Sequence, residues 1–374
     1  MKLSIIVPIF NKEKYIETCL ESLLKQQFTD FELICIDDGS TDSSGIIIDN
    51  YTKRDKRIKS VHKKNGGQVS ARKLGVEMAS SKYVGFVDAD DWVDYEMFGT
   101  MVNFAEKENV DLVSSGIIYE KKILFDSLTE GIFEDDSFDE LFKKLLPVGY
   151  NSSPAILGNV VTKIFRTDIL KETIKEIPDE VHYREDDCLV FSYLLKCNRL
   201  GILRKAFYHY RYDAASDSHK IDDRFFMRLN FAYLFLKETF DRSKYKDIIR
   251  NQLELYYCST IVNALKRMDG TADSIISVSF PIIDAKRILI YGAGKHGRRI
   301  AARIEKSENH KLIGIVDRDY NKIEGCKYVI YSPQSIIDLD YDVLLIAILN
   351  DNVSMEVKKQ LISMGADEEK IYIV

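Results

Sequence analysis

A chain of 374 residues is long enough for two or three domains, and a hydrophobic fraction of 45% is enough to fill their cores. A net charge of −6, with 30% charged residues, argues against the cationic face that nucleic-acid binding needs. No apolar run approaches the ~20 residues of a membrane-spanning helix, so the only membrane contact expected is peripheral.

Residues 3–9 form an apolar run that reads as a strand, with Pro8 near its end limiting further ladder pairing. Asn11 suits the N-cap of a helix over 12–27, where Tyr15, Ile16, Cys19, Leu20, Leu23 and Leu24 recur at helical spacing. A second strand over 31–36 runs into Asp37-Asp38-Gly39-Ser40-Thr41-Asp42, an acidic stretch of turn formers. Another helix reaches Tyr51. The basic residues Lys53, Arg54, Lys56, Arg57, Lys59, Lys63 and Lys64 then read as a solvated helix end and loop, with weak attraction to anionic lipid or acceptor as the alternative. A third strand over 58–61 leads through Asn65-Gly66-Gly67 to a helix over 68–79. The fourth strand, 83–87, is apolar throughout, as expected of a strand buried on both faces, and ends in Asp88, Asp90 and Asp91.

Such strand–helix alternation predicts a parallel sheet with right-handed crossovers, whose ligands bind beyond the carboxyl ends of the strands. Three strand ends, 8–11, 37–42 and 88–91, are therefore expected to meet at one edge. Crowded carboxylates repel unless a cation sits among them. Mg²⁺ or Mn²⁺ is the natural counter-ion, because it accepts one or two carboxylates and completes its shell with substrate phosphates. The simpler alternative is that Asp91 or Asp94 caps the helix starting near Tyr95.

The stretches Val7-Pro8-Ile9-Phe10-Asn11, Asp37-Asp38-Gly39-Ser40-Thr41-Asp42, Asn65-x-Gly67-x-x-x-Ala71-Arg72 and Val87-Asp88-Ala89-Asp90-Asp91 resemble, in order and spacing, the motifs of family-2 glycosyltransferases. These are inverting enzymes of the GT-A fold. The resemblance covers residues 1–220, and Phe10 stands where that family commonly has Tyr. It implies a UDP-sugar donor held by Pro8, Phe10, Asn11, Asp38, Arg72, Asp88 and Asp90. Phe10 would stack on the base and Asp38 would accept from a uracil imide. Arg72 would meet the diphosphate or base carbonyl, Asp88 the ribose, and Asp90 a Mn²⁺ or Mg²⁺ ion. Asp38 in an Asx turn and Arg72 in a surface salt bridge are the bland alternatives.

Transfer also needs a base on a different element, to take the acceptor proton. Tyr183-Arg184-Glu185-Asp186-Asp187 resembles the family's Glu-Asp pair, implying Asp186 as base with Glu185 next; complementing a helix dipole is the rival role. Residues 158–166 resemble a segment lining the acceptor side, where Lys163 and Arg166 meet a phosphate or face solvent. Some related enzymes add a late His to the metal, which here would be His219.

Residues 221–283 read as a helical extension and linker, with the aromatics of 225–240 in a core or interface. At 284–374 a new unit begins. The strand 287–291, the turn Gly292-Ala293-Gly294-Lys295-His296-Gly297, a helix and a strand ending at Asp317 meet the context of a dinucleotide fingerprint. This resembles the small Rossmann modules of bacterial polysaccharide-synthesis proteins. A second nucleotide site at Gly292, Gly294, Gly297 and Asp317 is one reading; packing or homo-oligomerisation is the other.

The six cysteines include no Cys-x-x-Cys pair, and Cys19, Cys35, Cys188 and Cys197 sit in apolar segments. Reduced thiols in a cytoplasmic protein, at most peripheral to the inner face of a membrane, are expected. The fold class is thus α/β: a GT-A nucleotide-diphospho-sugar transferase fold, a helical extension and a small Rossmann-like domain. The acceptor would be a glycan, a lipid-linked or polymeric saccharide, or a teichoic-acid-type chain. A sugar nucleotidyltransferase would need a Gly-rich, Arg-containing loop after the first strand, where Pro8-Ile9-Phe10-Asn11 stands instead. The rival from another class is a scaffold protein of polysaccharide assembly with weak catalysis, acting through the C-terminal module.

Overall fold

The computed structural model describes residues 1–120, 122–146, 154–212, 224–267, 287–305, 310–348 and 351–373. The expected metal ligand His219 lies outside the described residues. The chain divides into two compact units, one within residues 1–250 and one taking in Asn251–Val374.

The first unit opens as β1 (Leu3–Ile9), α1 (Ile16–Leu24), β2 (Phe31–Asp37), α2 (Ser44–Arg54), β3 (Ile58–His62), α3 (Gly67–Met78) and β4 (Tyr83–Phe86). It continues through β5 (Trp92–Val93), α4 (Met97–Glu108), β6 (Leu112–Tyr119), β7 (Lys122–Leu124), β8 (Gly131–Phe133) and α5 (Asp135–Phe142). Then come β9 (Lys163–Arg166), α6 (Thr167–Glu176), α7 (Glu185–Leu194), β10 (Leu200–Tyr210), α8 (Phe225–Asp241) and α9 (Lys246–Arg267), the last of which contains the division between units.

One sheet carries the order β3-β2-β1-β4-β9-β6-β10-β5, with β7 on β6 and β8 on β10. The strands β1 to β4 are parallel, as their continuous apolar runs require: every residue of β2 and β4 is buried. The hairpin-free β9 runs antiparallel to both β4 and β6, which are therefore parallel to each other, and β10 is parallel to β6. The carboxyl ends of β1, β2, β4, β6 and β10 thus share one edge.

The first helix is shorter than its apolar spacing suggests. Asn11 does not cap it; its backbone is left-handed (φ 53°) and its Oδ1 accepts from the Thr41 N–H at 2.8 Å. The side chain is spent on joining two strand-end loops. Asp91 and Asp94 do not cap a helix through their side chains either, since α4 begins only at Met97 and their carboxylates are held by β10.

The opposite edge of the sheet has its own buried charge. Glu32 is 1% exposed and accepts from Ser4 Oγ (2.6 Å), Lys59 Nζ (2.6 Å), and the Ser80 N–H (2.9 Å) and Oγ (2.8 Å). Burial pushes its pKa up, but the Lys59 ammonium and the serine donors outweigh burial and hold it at about 2, below the ordinary 4.5. The folded value lies below the unfolded one, so this stabilisation is present above about pH 4.5 and is lost as pH falls toward 2. We expect Glu32→Gln to destabilise the first unit near neutrality by on the order of 2 kcal/mol. Thermal melts should show its gap to the wild type narrowing in acid.

The second unit is a five-stranded, all-parallel sheet: β11 (Arg287–Tyr291), β12 (Lys311–Val316), β13 (Ile330–Tyr331), β14 (Val343–Ile346) and β15 (Ile371–Ile373), ordered β13-β12-β11-β14-β15. Helix α10 (Lys295–Ile304) packs Ile300, Ala301 and Ile304 onto the face carrying Ile288 and Ile290. Helix α11 (Asp351–Ser363) packs Val357 and Leu361 onto the face carrying Leu289 and Tyr291. All six cysteines are free thiols, and no helix among the described residues is long and apolar enough to cross a membrane.

Candidate active site

The loops after β1, β2 and β4 meet at the shared edge. Ser40 Oγ accepts from the Asn11 N–H (3.0 Å), and Lys12 Nζ reaches Asp90 Oδ2 at 2.5 Å. Pro8 stays in the ladder opposite Ile36, while the Phe10 ring is 44% exposed beside this junction. Asp38 is buried, and its carboxylate accepts from Lys63 Nζ (2.5 Å), the Gly66 N–H (2.9 Å) and the Gly67 N–H (2.8 Å). It therefore fastens the turn entering α3, where Gly67 adopts φ +86°, a conformation that favours glycine. Lys63 belongs to this site, and Arg54, Arg57 and Lys59 pair with Glu21, Asp55 and Glu32, so the basic run is not merely solvated.

Beyond β4 the three aspartates divide their work. Asp91 is buried and accepts from Tyr208 Oη at 2.6 Å and the Arg211 N–H at 2.7 Å. Burial, then the charge of Asp88, pushes its pKa up to about 8. Tyr208 Oη also accepts from the Asp88 N–H (3.1 Å), and Arg211 Nε donates to the Asp90 carbonyl (2.7 Å). Tyr208 of β10 and Arg211 just beyond it thereby shape the acidic loop, while the Asp88 and Asp90 carboxylates turn to other partners. Asp88 accepts from Gln68 Nε2 (3.2 Å) and Arg72 Nη2 (3.4 Å); burial raises its pKa and Arg72 only partly offsets this.

Arg72 is 2% exposed, so it is no surface salt bridge. Its guanidinium touches Asp88 on one side and Asp186 on the other, with Glu185 Oε1 at 3.8 Å, and lies over the Phe86 ring. Arg72 Nε has no hydrogen-bond partner among the described residues. Glu185, Asp186 and Asp187 occupy the first turn of α7, where the helix dipole favours negative charge. Burial, then the neighbouring Asp186, raises the Glu185 pKa. Asp186 Oδ2 accepts from the Val160 N–H at 3.2 Å, which ties the base candidate to the loop before β9.

That loop is held from beneath by Lys163, which neither meets solvent nor is placed to receive a phosphate. It is 0% exposed, and its Nζ donates to the carbonyls of Leu157 (2.7 Å) and Asn159 (2.8 Å) and to Thr162 Oγ1 (3.3 Å). Arg166 pairs instead with Asp111 and Asp168. No group of three metal-binding side chains is gathered among the described residues. The donor chemistry nonetheless fits a hard divalent cation, which takes one or two carboxylates and substrate phosphates: Asp88 and Asp90 stand close with more negative charge nearby than Arg72 and Lys12 neutralise.

Residues 4–157 match the family model described as Glycosyl transferase family 2. The N-terminal part of this chain is thus similar to family-2 glycosyltransferases. The poly(ribitol-phosphate) beta-N-acetylglucosaminyltransferase TarS of Staphylococcus aureus is 30% identical over 213 residues, covering 56% of this chain and 35% of TarS. The uncharacterized glycosyltransferase EpsJ of Bacillus subtilis is 47% identical over 113 residues, 30% of this chain and 33% of EpsJ. The chain thus spans about a third of the length of these curated relatives. The crystal structure of S. aureus TarS 1–349 in complex with UDP-GlcNAc matches with a TM-score of 0.57 and 26% identity, over 71% of this chain and 75% of that one. Residues 284–372 match a second family model, described as C2185-like, N-terminal.

In the first unit, then, Arg72 joins Asp88 to Glu185 and Asp186, Lys12 ties Asp90 to the loop of Asn11, and Asp38 holds the turn into α3, with Phe10 beside the Asn11–Ser40 junction. Lys12, Lys163, Tyr208 and Arg211 were not legible as supports of this site. In the second unit, Gly292 is left-handed (φ +109°), a Cβ on Gly297 would lie 1.8 Å from the Gly292 carbonyl, one on Gly294 meets open space, and Asp317 Oδ2 accepts from the Ala293 N–H at 2.6 Å.

Proposed function

We propose that the chain is a metal-dependent inverting glycosyltransferase that moves a sugar from a UDP-sugar to a hydroxyl of a glycan, cell-surface polysaccharide or teichoic-acid-type acceptor. The observation that carries this reading is buried Arg72, which joins the donor-side Asp88 to Asp186 on the other side of the acidic loop. The likeness to TarS, crystallised with UDP-GlcNAc, supports the nucleotide-sugar donor. Phe10 would stack on the base, and Asp38, with Asn11 and Pro8, would shape its cradle. Asp186 takes the proton of the acceptor hydroxyl; the freed oxygen bonds to the anomeric carbon as the bond to the diphosphate breaks on the opposite face. Asp90, with Asp88 beside it, would hold Mn²⁺ or Mg²⁺, which as a Lewis acid stabilises the leaving diphosphate. Arg72 adds a fixed positive charge to the same neighbourhood.

In domain terms we assign 1–220 to the transferase domain, 221–283 to a helical extension and linker, and 284–374 to a small Rossmann-like module. Its all-parallel strand order and glycine turn support the last assignment, and free, mostly buried thiols support a cytoplasmic protein. The test is titration calorimetry of UDP with and without Mn²⁺. The wild type should bind UDP more tightly with the metal, and Asp90→Ala should remove at least about tenfold of that gain, the scale of a lost ligand. An unchanged Mn²⁺ dependence would move the metal elsewhere.

A further inference from the structure

We propose that Tyr119, Tyr210 and Tyr212 form an acceptor subsite that takes a pyranose ring of a saccharide against their aromatic faces. The inference rests on the transferase reading and names where its acceptor docks. Tyr119 ends β6 and Tyr210 ends β10, directly opposite each other in register, with ring centroids 5.3 Å apart and planes at 18°. The Tyr212 ring stands edge-on to Tyr119, 6.1 Å away at 71°, and remains 51% exposed.

The position of this cluster selects its ligand. In the sheet, the loops offered to the nucleotide follow β1 and β2, on one side of β4, whereas β6 and β10 lie on the other. Continuity with the acidic loop is direct. Arg211, between the two tyrosines, donates its N–H to Asp91 Oδ1 and its Nε to the Asp90 carbonyl, each at 2.7 Å. Its guanidinium is fixed between the rings of Tyr15 (5.0 Å) and Trp92 (4.7 Å). Tyr212 is therefore bonded to a residue locked onto the donor side of the reaction. An aromatic face is electron-rich, and a pyranose offers a face of weakly positive C–H groups with hydroxyls at its rim, which a phenol hydroxyl can meet.

Cross-strand tyrosine stacking could also serve the sheet alone, so the test must read saccharide. Short β-linked glucose and β-linked N-acetylglucosamine oligosaccharides are titrated against the full chain, with and without UDP and Mn²⁺, by saturation-transfer NMR. The wild type should transfer saturation to pyranose C–H protons. Tyr212→Ala should weaken binding about tenfold, whereas Tyr212→Phe should keep it. Calorimetric UDP affinity should match in all three proteins. Undiminished saccharide binding by Tyr212→Ala, or none by the wild type to either oligosaccharide, would overturn the subsite. Saccharide binding that survives while the wild type fails to bind UDP would instead sink the donor reading and leave the subsite standing.

Discussion

Asp186→Asn is expected to keep UDP bound and to abolish most sugar transfer, with turnover falling about 10²- to 10⁴-fold, the usual worth of a positioned base. The substitution preserves size; its one oxygen can serve Arg72 or the Val160 N–H but not both, and Arg72 still has Asp88 and Glu185 as counter-charges. What it removes is the capacity to accept a proton. Turnover and UDP calorimetry on the same preparation separate the two effects. The competing base is Glu185, whose pKa burial and the Asp186 charge hold above the ordinary value, toward the range that suits proton transfer. If Glu185 were the base, Asp186→Asn would stay active, and its pH–rate profile would move to lower pH because one repulsive charge has gone. Glu185→Gln would then be the inactive variant. An inactive Asp186→Asn with an active Glu185→Gln keeps the assignment to Asp186.

The parts of this site that were legible in the sequence are those written within one strand and its following turn. A buried parallel strand shows as an unbroken apolar run, so β1, β2 and β4 and the acids beyond them could be placed from Leu3–Ile9, Phe31–Asp37 and Tyr83–Phe86 alone. The illegible parts are bonds across long separations. Nothing about Tyr208 or Arg211 in their own neighbourhood announces that they hold Asp88, Asp90 and Asp91 from more than a hundred residues away. Lys163 misleads for a different reason: a lysine in an acceptor-side segment suggests a free cation, yet this one is consumed by two carbonyls and a hydroxyl beneath the loop. Asn11 misleads through propensity, since the same side chain that caps helices can bridge loops when its backbone turns left-handed. In each case a tertiary bond overrode a local preference.

Gly158 carries a prediction of comparable size that no charge or motif would suggest. It lies on the loop that Lys163 supports and that presents the Val160 N–H to Asp186. A Cβ at this position would fall 1.6 Å from Asp187 Oδ1 and 2.8 Å from its Cγ. Asp187 cannot simply swing into water, because it is buried in the first turn of α7 with Arg184 at 3.4 Å. In Gly158→Ala either the loop or the helix start must therefore shift, at an overpacking cost of ~1–3 kcal/mol. Both alternatives displace Asp186, and a misplacement of about 1 Å can cost about 10²-fold in rate. We expect Gly158→Ala to lose more turnover than its modest drop in melting midpoint explains, with UDP affinity retained, since Asp38 and the loops after β1 and β2 lie outside the clash. Adding Asp187→Ala, which removes the colliding atoms, should restore part of the rate if the collision is the cause. A Gly158→Ala enzyme with wild-type turnover would mean that the acceptor-side loop does not position the base.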